Sequence, residues 1–186
     1  STTAVPLTTD VTGATVNYTW NVACDPGITA CPPPSGGNSL PAVSLTLNGT
    51  TFVQQNAVYT ITPAIGACPG TPSTYTTHIN PIPDLTISPA VHAAICSGAS
   101  TNFTLSSQVA TPSFQWSAVG GANITPASLV SQNDNPVQRT FANSGNVVQP
   151  VTFTLTSSAA GCTSLPVVYQ VPVNPVPATT VSAATQ

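Results

Sequence analysis

The sequence has almost no charge. It contains one arginine, no lysine, four aspartates and no glutamate, so that charged residues make up only 3% of the chain. Binding to nucleic acid through its phosphates needs several lysines or arginines, and so does attachment to an anionic membrane surface. We therefore expect neither partner. Long helices are disfavoured as well, because their exposed faces are usually filled with Lys, Glu and Arg.

Long apolar stretches are also absent. Hydrophobic residues make up 41% of the chain, but no run approaches the ~20 residues that a membrane-spanning helix needs, so we expect no membrane insertion. Methionine and a secretion signal are both missing, and we expect a slice or processed product of a longer protein. Five cysteines in so uncharged a chain favour an oxidising, extracellular setting. No Cys-x-x-Cys pair is present, which argues against zinc and thioredoxin-type sites.

Side chains with acid–base or metal-binding chemistry are few and scattered. His78 and His92 lie in different segments, outside any nucleophile-elbow pattern, and we interpret both as structural. Asp134, in an Asn-Asp-Asn-Pro run, is a lone carboxylate where calcium needs about six to eight oxygens; a turn is the preferred interpretation. Asp84 is equally alone. We therefore predict no catalytic, cofactor-binding or metal-binding residues, and no enzyme.

Two copies of one unit fill the sequence. Residues 59–83 match residues 153–177 at a constant offset of 94 residues, which superposes Cys68 on Cys162. Several identities at a fixed spacing indicate a true internal repeat. Further upstream the offset grows by short length changes, which belong in loops.

The upstream matches are made by an aromatic pair and a leucine. Trp20 matches Trp116 at an offset of 96, and Leu7 matches Leu105 at an offset of 98. We divide the chain into a first repeat at 1–83, a second at 84–177, and a lead-in to a following repeat at 178–186. The junctions Asn-Pro-Ile-Pro and Asn-Pro-Val-Pro favour extended backbone. Neighbouring repeats of the same chain are therefore the expected partners.

The cysteines fit this division. Cys96 opens the second repeat and Cys162 lies near its end, so we predict a disulfide between them. Cys24 and Cys31 enclose a Pro-Gly turn that the second repeat lacks, and we predict that they are bonded to each other. Cys68 is predicted to be unpaired within the chain, because the counterpart of Cys96 would precede residue 1.

Short segments of alternating apolar residues predict the fold. They are separated by Gly, Pro, Asn and Ser clusters, and in the second repeat they lie at 101–107, 113–119, 137–142, 148–157 and 167–173. This pattern is typical of an antiparallel β-sandwich, and a unit of about 93 residues suits the immunoglobulin-like kind. The fold class is therefore all-β, with two tandem immunoglobulin-like sandwiches.

The aromatic residues of the early strands lie at the positions of the alternating pattern that face the core of the sandwich. Trp20 and Trp116, with Tyr18 and Phe114 two residues before them, recur at one repeat position. We predict that both tryptophans are core residues. A sugar-stacking platform would instead require them to be exposed.

The order of motifs in the second repeat resembles a known family. It begins with Ile-Cys-Ser-Gly, continues through Phe-x-Trp and Val-Thr-Phe-Thr-Leu-Thr to Gly-Cys, and ends with Val-x-Val-Asn-Pro-x-Pro. It is similar to the PKD-like, immunoglobulin-like repeats of very large secreted surface proteins of Bacteroidota-type bacteria, which include gliding-motility adhesins exported by the type IX route. The match covers nearly all of the second repeat and the second half of the first. The resemblance implies stalk and adhesin function, not catalysis.

Our leading hypothesis is a structural, non-catalytic stalk segment of a long extracellular cell-surface adhesin or filament. One alternative is a carbohydrate- or surface-binding module, which would need exposed aromatic side chains or a polar groove. Another is an accessory domain of a larger secreted enzyme. A surface or glycan ligand would then be bound elsewhere in the parent protein.

Overall fold

The computed structural model describes residues 2–180, and every regular element among them is a β-strand. The all-β class predicted from the sequence is confirmed. The chain divides between Pro81 and Ile82 into two compact units, which we call unit 1 and unit 2. Of the predicted lead-in at 178–186, residues 181–186 lie outside the described part of the chain.

Unit 1 is built around one antiparallel sheet. Its strands are β1 (Val5–Pro6), β2 (Asn17–Cys24), β3 (Ser35–Gly36), β4 (Ser39–Leu40), β5 (Gln55–Ile65), β6 (Cys68–Pro69) and β7 (Ser73–Ile79). The sheet has the order β3-β2-β5-β6, and β7 also pairs with β5, whereas β1 pairs with β4. Strand β2 alternates inward Tyr18 and Trp20 with exposed polar residues, so one face of the sheet becomes the core.

Unit 2 repeats this plan with more strands. They are β8 (Thr86–Ser88), β9 (Ile95–Cys96), β10 (Thr104–Ser106), β11 (Ser113–Gly120), β12 (Ile124–Thr125), β13 (Ser128–Gln132), β14 (Ala142–Asn143), β15 (Gln149–Ala159), β16 (Cys162–Thr163) and β17 (Val167–Asn174). The main sheet has the order β13-β11-β15-β17-β9, and β16 pairs with β15. Strands β8 and β10 pair with each other, as do β12 and β14.

Residues 84–96, which we call the lead-in segment of unit 2, contribute strands to both layers of that unit. Strand β8 pairs antiparallel with β10, and β9 pairs parallel with the end of β17, where Cys96 lies beside Asn174. Leu85, Ile87 and Ile95 pack against the core from this segment. The lead-in is therefore part of the sandwich and not a free linker.

The strand registers reproduce the repeat in the sequence. Trp20 on β2 lies opposite Ile61 on β5, and Trp116 on β11 lies opposite Leu155 on β15. These pairs are related by the same offsets that align the sequence. Each unit has its own apolar core, and burying one large apolar side chain contributes about 1.5–3 kcal/mol.

Candidate functional site

Both tryptophans are buried. Trp20 is 5% exposed and Trp116 is 1% exposed, so neither presents a ring face to solvent. The Trp116 ring lies 5.6 Å from the Phe153 ring, and its Nε1 donates a hydrogen bond to the Asp134 carbonyl at 3.1 Å. A stacking platform for a sugar is therefore not formed by these side chains. Phe114 also packs against the core of unit 2.

The single cation of the sequence is held by an ion pair. Arg139 Nη2 lies 2.6 Å from Asp134 Oδ1 and donates a second hydrogen bond to Gln132 at 3.1 Å. Its guanidinium carbon lies 5.2 Å from the centroid of the Trp116 ring, within reach of a cation–π contact. Both charged side chains are about one-third exposed, where such a pair contributes about 0–1 kcal/mol. The cluster fixes the loop over Trp116.

The Asn-Asp-Asn-Pro run acts as a structural turn. The Leu105 amide donates to Asn135 Oδ1 at 2.9 Å, and Asn135 Nδ2 donates to the Leu105 carbonyl at 2.8 Å. The side-chain amide of Asn135 thus bonds to the backbone of Leu105 in the manner of a strand, in addition to the pairing of β10 with β8. Asp134 Oδ1 is paired with Arg139, and the Asp134 carbonyl accepts from Trp116, so two oxygens of this residue serve the structure of the loop.

The two histidines have separate structural partners. His78 Nδ1 lies 2.7 Å from Asn56 Oδ1 on the surface of unit 1. In unit 2, the Asn102 amide donates to His92 Nε2 at 3.3 Å, so Nδ1 carries the proton and donates to the Ala93 carbonyl at 2.7 Å. Among the described residues, no three His, Cys, Asp or Glu side chains converge as metal ligands.

Asp84 anchors the lead-in segment of unit 2. Its carboxylate accepts hydrogen bonds from the Ser107 hydroxyl and from the backbone amide of Gln108, both at 2.7 Å. Burial raises the pKa of Asp84, but these hydrogen bonds lower it by more, so that its pKa lies below the ordinary value. The carboxylate is therefore a structural acceptor and not a proton donor at neutral pH.

The disulfide between Cys24 and Cys31 is formed, which confirms that prediction. It closes the loop that follows β2. Within this loop Asp25 Oδ2 accepts hydrogen bonds from the backbone and side-chain nitrogens of Asn56, at 2.8 and 3.0 Å, and Ile28 is buried in the core of unit 1. The crosslink therefore ties an inserted loop to its sheet.

The predicted disulfide between Cys96 and Cys162 is wrong. Cys162 lies opposite Ala159 at one end of β15. Cys96 lies beside Asn174, at the end of the sheet where β15 begins. The length of β15 separates the two sulfurs by about 30 Å, whereas a disulfide needs Cα atoms within about 7 Å. The two cysteines lie near the two ends of the repeat in the sequence, and in the structure they lie at opposite ends of the sandwich.

A surface groove in unit 1 was missed by the sequence analysis. It has a volume of about 380 Å³ and lies between residues 9–16 and residues 63–70. We call it the unit 1 groove. Its walls are mainly apolar and include Val11 and Ile65, with Asp10 and the exposed thiol of Cys68 at its rim. The signal that could have found it is the match of Val11 to Val109, which is buried in unit 2.

No helix that could cross a membrane is found among residues 2–180. Comparison with curated proteins finds no match to the chain. The family model described as PKD-like domain matches residues 2–83 and again residues 93–177. Domains of this type are typically non-catalytic extracellular repeats. The two matches together span most of the sequence, the first over the strands of unit 1 and the second over β9 to β17 of unit 2, and the chain therefore belongs to the PKD-like domain family, of which it carries two copies in tandem.

Proposed function

We propose that this chain is a structural stalk segment of a long extracellular adhesin or filament on a cell surface. One observation carries the proposal: a sandwich of the same plan is present twice, with both tryptophans buried in the cores and no buried side-chain nitrogen or oxygen left without a partner among the described residues. A protein of this kind acts through its length and its surface, since each additional unit lengthens the chain. The gliding-motility adhesins of Bacteroidota-type bacteria are the setting that the motif order favours.

The sparse charge of the surface supports this function. With one arginine and four aspartates in the chain, few ion pairs are available to weaken when salt rises. Threonines occupy exposed positions on the long strands, such as Thr60 on β5, Thr74 on β7 and Thr154 on β15. Such a surface stays hydrated through hydroxyl groups, which suits an environment of varying salt.

Imaging of the intact parent protein tests the proposal. We expect a beaded thread in negative stain, with successive beads about 35–45 Å apart, as strands rising ~3.3 Å per residue would give. Antibodies against residues 1–186 should label unpermeabilised cells. A compact parent particle, or labelling only after permeabilisation, would contradict the stalk.

The carbohydrate-binding alternative is tested separately. A glycan array probed with the chain should show no binding above a control domain, because Trp20 and Trp116 are buried. Specific binding that is abolished by one exposed substitution would replace the stalk by a recognition module.

A further inference from the structure

Residues 48–51 form a tight turn at the surface of unit 1, shortly before β5. The Asn48 carbonyl accepts a hydrogen bond from the Thr51 amide at 3.2 Å, and the Asn48 amide donates to the Gly27 carbonyl at 2.9 Å. Asn48 is partly buried, whereas Gly49 and Thr50 are exposed. The turn therefore fixes the main chain of Asn48 and leaves the residue after it open to water.

Asn48 is the only asparagine of the sequence that is followed by glycine. The backbone nitrogen after an asparagine can attack the side-chain carbon Cγ and close a five-membered ring, and such an intramolecular attack has a high effective molarity. A Cβ atom on the attacking residue crowds this approach, and glycine has none. In the folded chain, a Cβ placed on Gly49 would meet no atom within 4 Å. The approach is therefore free of crowding in the fold as well.

The two nitrogens that take part in such a ring closure are not held by the protein. The Gly49 amide donates no hydrogen bond to another group among the described residues. The same is true of Asn48 Nδ2, the nitrogen that would leave as ammonia. Water therefore solvates both the attacking and the leaving group.

The side-chain oxygen of Asn48 is surrounded by donors. Asn48 Oδ1 accepts hydrogen bonds from the Thr50 hydroxyl at 3.1 Å and from the Thr50 amide at 3.3 Å, and the Thr51 hydroxyl donates to the same atom. Negative charge develops on this oxygen when a nitrogen adds to Cγ. In enzymes, a single donor placed at such an oxygen changes the rate by about 10²–10³. The turn thus supplies an oxyanion hole to the side chain of its own first residue.

Asn143 of unit 2 has the opposite environment. It precedes Ser144, another small residue, but it is only 3% exposed. Its Nδ2 donates to the Val147 and Val173 carbonyls at 2.8 and 2.9 Å. Because its leaving nitrogen is anchored in this way, we expect this asparagine to remain intact.

We propose that Asn48 is a site of spontaneous covalent modification, at which the fold promotes conversion of the side-chain amide to a carboxylate through a cyclic imide. Hydroxide takes the proton of the Gly49 amide, the nitrogen forms a bond to Asn48 Cγ, and the bond from Cγ to Nδ2 breaks. Nδ2 takes up protons from water and leaves as ammonia. This inference goes beyond the stalk function and does not depend on it.

Water then opens the imide in one of two ways. Addition at Cγ restores the main chain and gives aspartate at position 48, whereas addition at the main-chain carbonyl gives isoaspartate. Isoaspartate lengthens the main chain by one carbon in a segment that holds the Cys24–Cys31 loop. There the Thr29 amide donates to the Thr46 carbonyl at 2.9 Å, and Ile28 forms a bridge with Leu47. The modification therefore accumulates with the age of the chain and loosens this loop.

Timed incubation of the folded chain in mildly alkaline buffer tests the proposal. Peptide mapping by mass spectrometry should show conversion at Asn48 before any other asparagine, at a rate proportional to hydroxide concentration, while Asn143 stays intact. Enzymatic methylation of isoaspartate should label the same peptide. Gly49→Ala is the matched control, because the open space accepts its Cβ, and it should slow conversion by about tenfold or more.

Thr51→Val separates the effect of the turn from that of the Asn-Gly pair alone. It removes one donor from Asn48 Oδ1 and keeps the shape of the side chain, so it should slow conversion in the folded chain by about tenfold or more. In guanidinium chloride, where the turn is lost, Thr51→Val and wild type should convert at the same rate.

A comparison of folded and unfolded wild type gives a readout that does not depend on any variant folding. Asn48 should convert faster in the folded chain than in the chain unfolded in guanidinium chloride at the same pH. Slower conversion in the folded chain would show that the turn protects Asn48, and would overturn the proposal. Equal rates for folded wild type and folded Thr51→Val would overturn it as well, and so would conversion of Asn143 at the rate of Asn48.

Discussion

At the residue scale, Trp116 connects the core of unit 2 to the loop that crosses it. The ring is buried against Phe153, its Nε1 bonds to the Asp134 carbonyl, and Arg139 lies over its face. One side chain therefore couples apolar packing to the only cation of the sequence.

We expect Trp116→Ala to destabilise unit 2 by ~3–5 kcal/mol, because it removes a large buried ring and leaves a cavity. Urea denaturation followed by far-ultraviolet circular dichroism measures the change. Val130→Ala is a matched control on the adjacent strand, since Val130 is 71% exposed, and its effect should stay within about 0.5 kcal/mol. A loss for Trp116→Ala no larger than the control would show that the ring is not a core element.

Asp84 gives unit 2 a dependence on pH. Its folded pKa lies below the ordinary value, which is about 3.9 in an unfolded chain. The folded state therefore binds fewer protons, and the resulting stability is present above about pH 4 and lost as pH falls through the folded pKa. Asp84→Asn should remove this contribution, so the stability difference from wild type should be constant near neutral pH and shrink below about pH 4.

Denaturation midpoints of wild type and Asp84→Asn between about pH 2 and pH 7 measure this difference. Ser107→Ala is the graded control, because it removes one of the two short hydrogen bonds and keeps the carboxylate. Its pH dependence should be smaller than that of wild type. Parallel curves for wild type and Asp84→Asn over the whole range would contradict the assignment.

At the element scale, the Cys24–Cys31 loop is held by more than its crosslink. Asp25 bonds to Asn56 on β5, and Ile28 forms an isolated bridge with Leu47. The loop thus joins the end of β2 to two other parts of unit 1.

Replacing both Cys24 and Cys31 with Ser should lower the stability of unit 1 by ~2.5 kcal/mol, as the chain-entropy model gives for so short a loop. Unit 2 should be unaffected. Peptide mapping without reduction should recover a Cys24–Cys31 crosslink and no link between Cys96 and Cys162. Recovery of the latter link from monomeric chain would mean that the strand order of unit 2 is wrong.

Strong alternation allowed the long strands to be predicted from the sequence. The segments predicted at 113–119, 148–157 and 167–173 correspond to β11, β15 and β17, with ends that differ by one or two residues. Their inward residues are apolar except for Ser157, so the period of two is visible in the sequence of each strand alone. Strands β8 and β13 were not predicted, because they are short and only partly buried.

Other features depend on which elements become neighbours. Residues 137–142 were predicted as one strand, but the structure has isolated bridges there, from Val137 to Phe103 and from Thr140 to Ser100, and only Ala142 belongs to a strand, β14. The error over Cys96 and Cys162 has a related cause, since sequence spacing does not say at which end of a sheet a residue lies. The unit 1 groove could not be predicted for a similar reason, because its walls come from residues 9–16 and 63–70, which are far apart in the sequence.

At the scale of the whole molecule, the two cores share no residue. Each contains one tryptophan, so the two units can be followed separately. In a Trp20→Phe variant the remaining Trp116 reports on unit 2, and in a Trp116→Phe variant the remaining Trp20 reports on unit 1. We expect the urea midpoints of the two variants, followed by tryptophan fluorescence, to differ, because the core of unit 2 has more fully buried side chains. Far-ultraviolet circular dichroism of the wild type should span both transitions. One shared midpoint that moves as a whole with Trp116→Phe would indicate a single cooperative unit.

The lone Arg139 has a consequence for digestion by trypsin, which cuts after Lys and Arg. The chain offers this enzyme a single bond, between Arg139 and Thr140. That bond is built into unit 2: the Arg139 carbonyl accepts from the Thr101 amide at 2.8 Å, and the side chain is tied to Asp134. Trypsin should therefore leave the folded chain intact and cut it once when unit 2 opens, at a rate set by that opening. Two fragments should appear together in urea, and Asp134→Ala should accelerate the cut. The rate of cleavage at this one bond would then measure how often unit 2 unfolds.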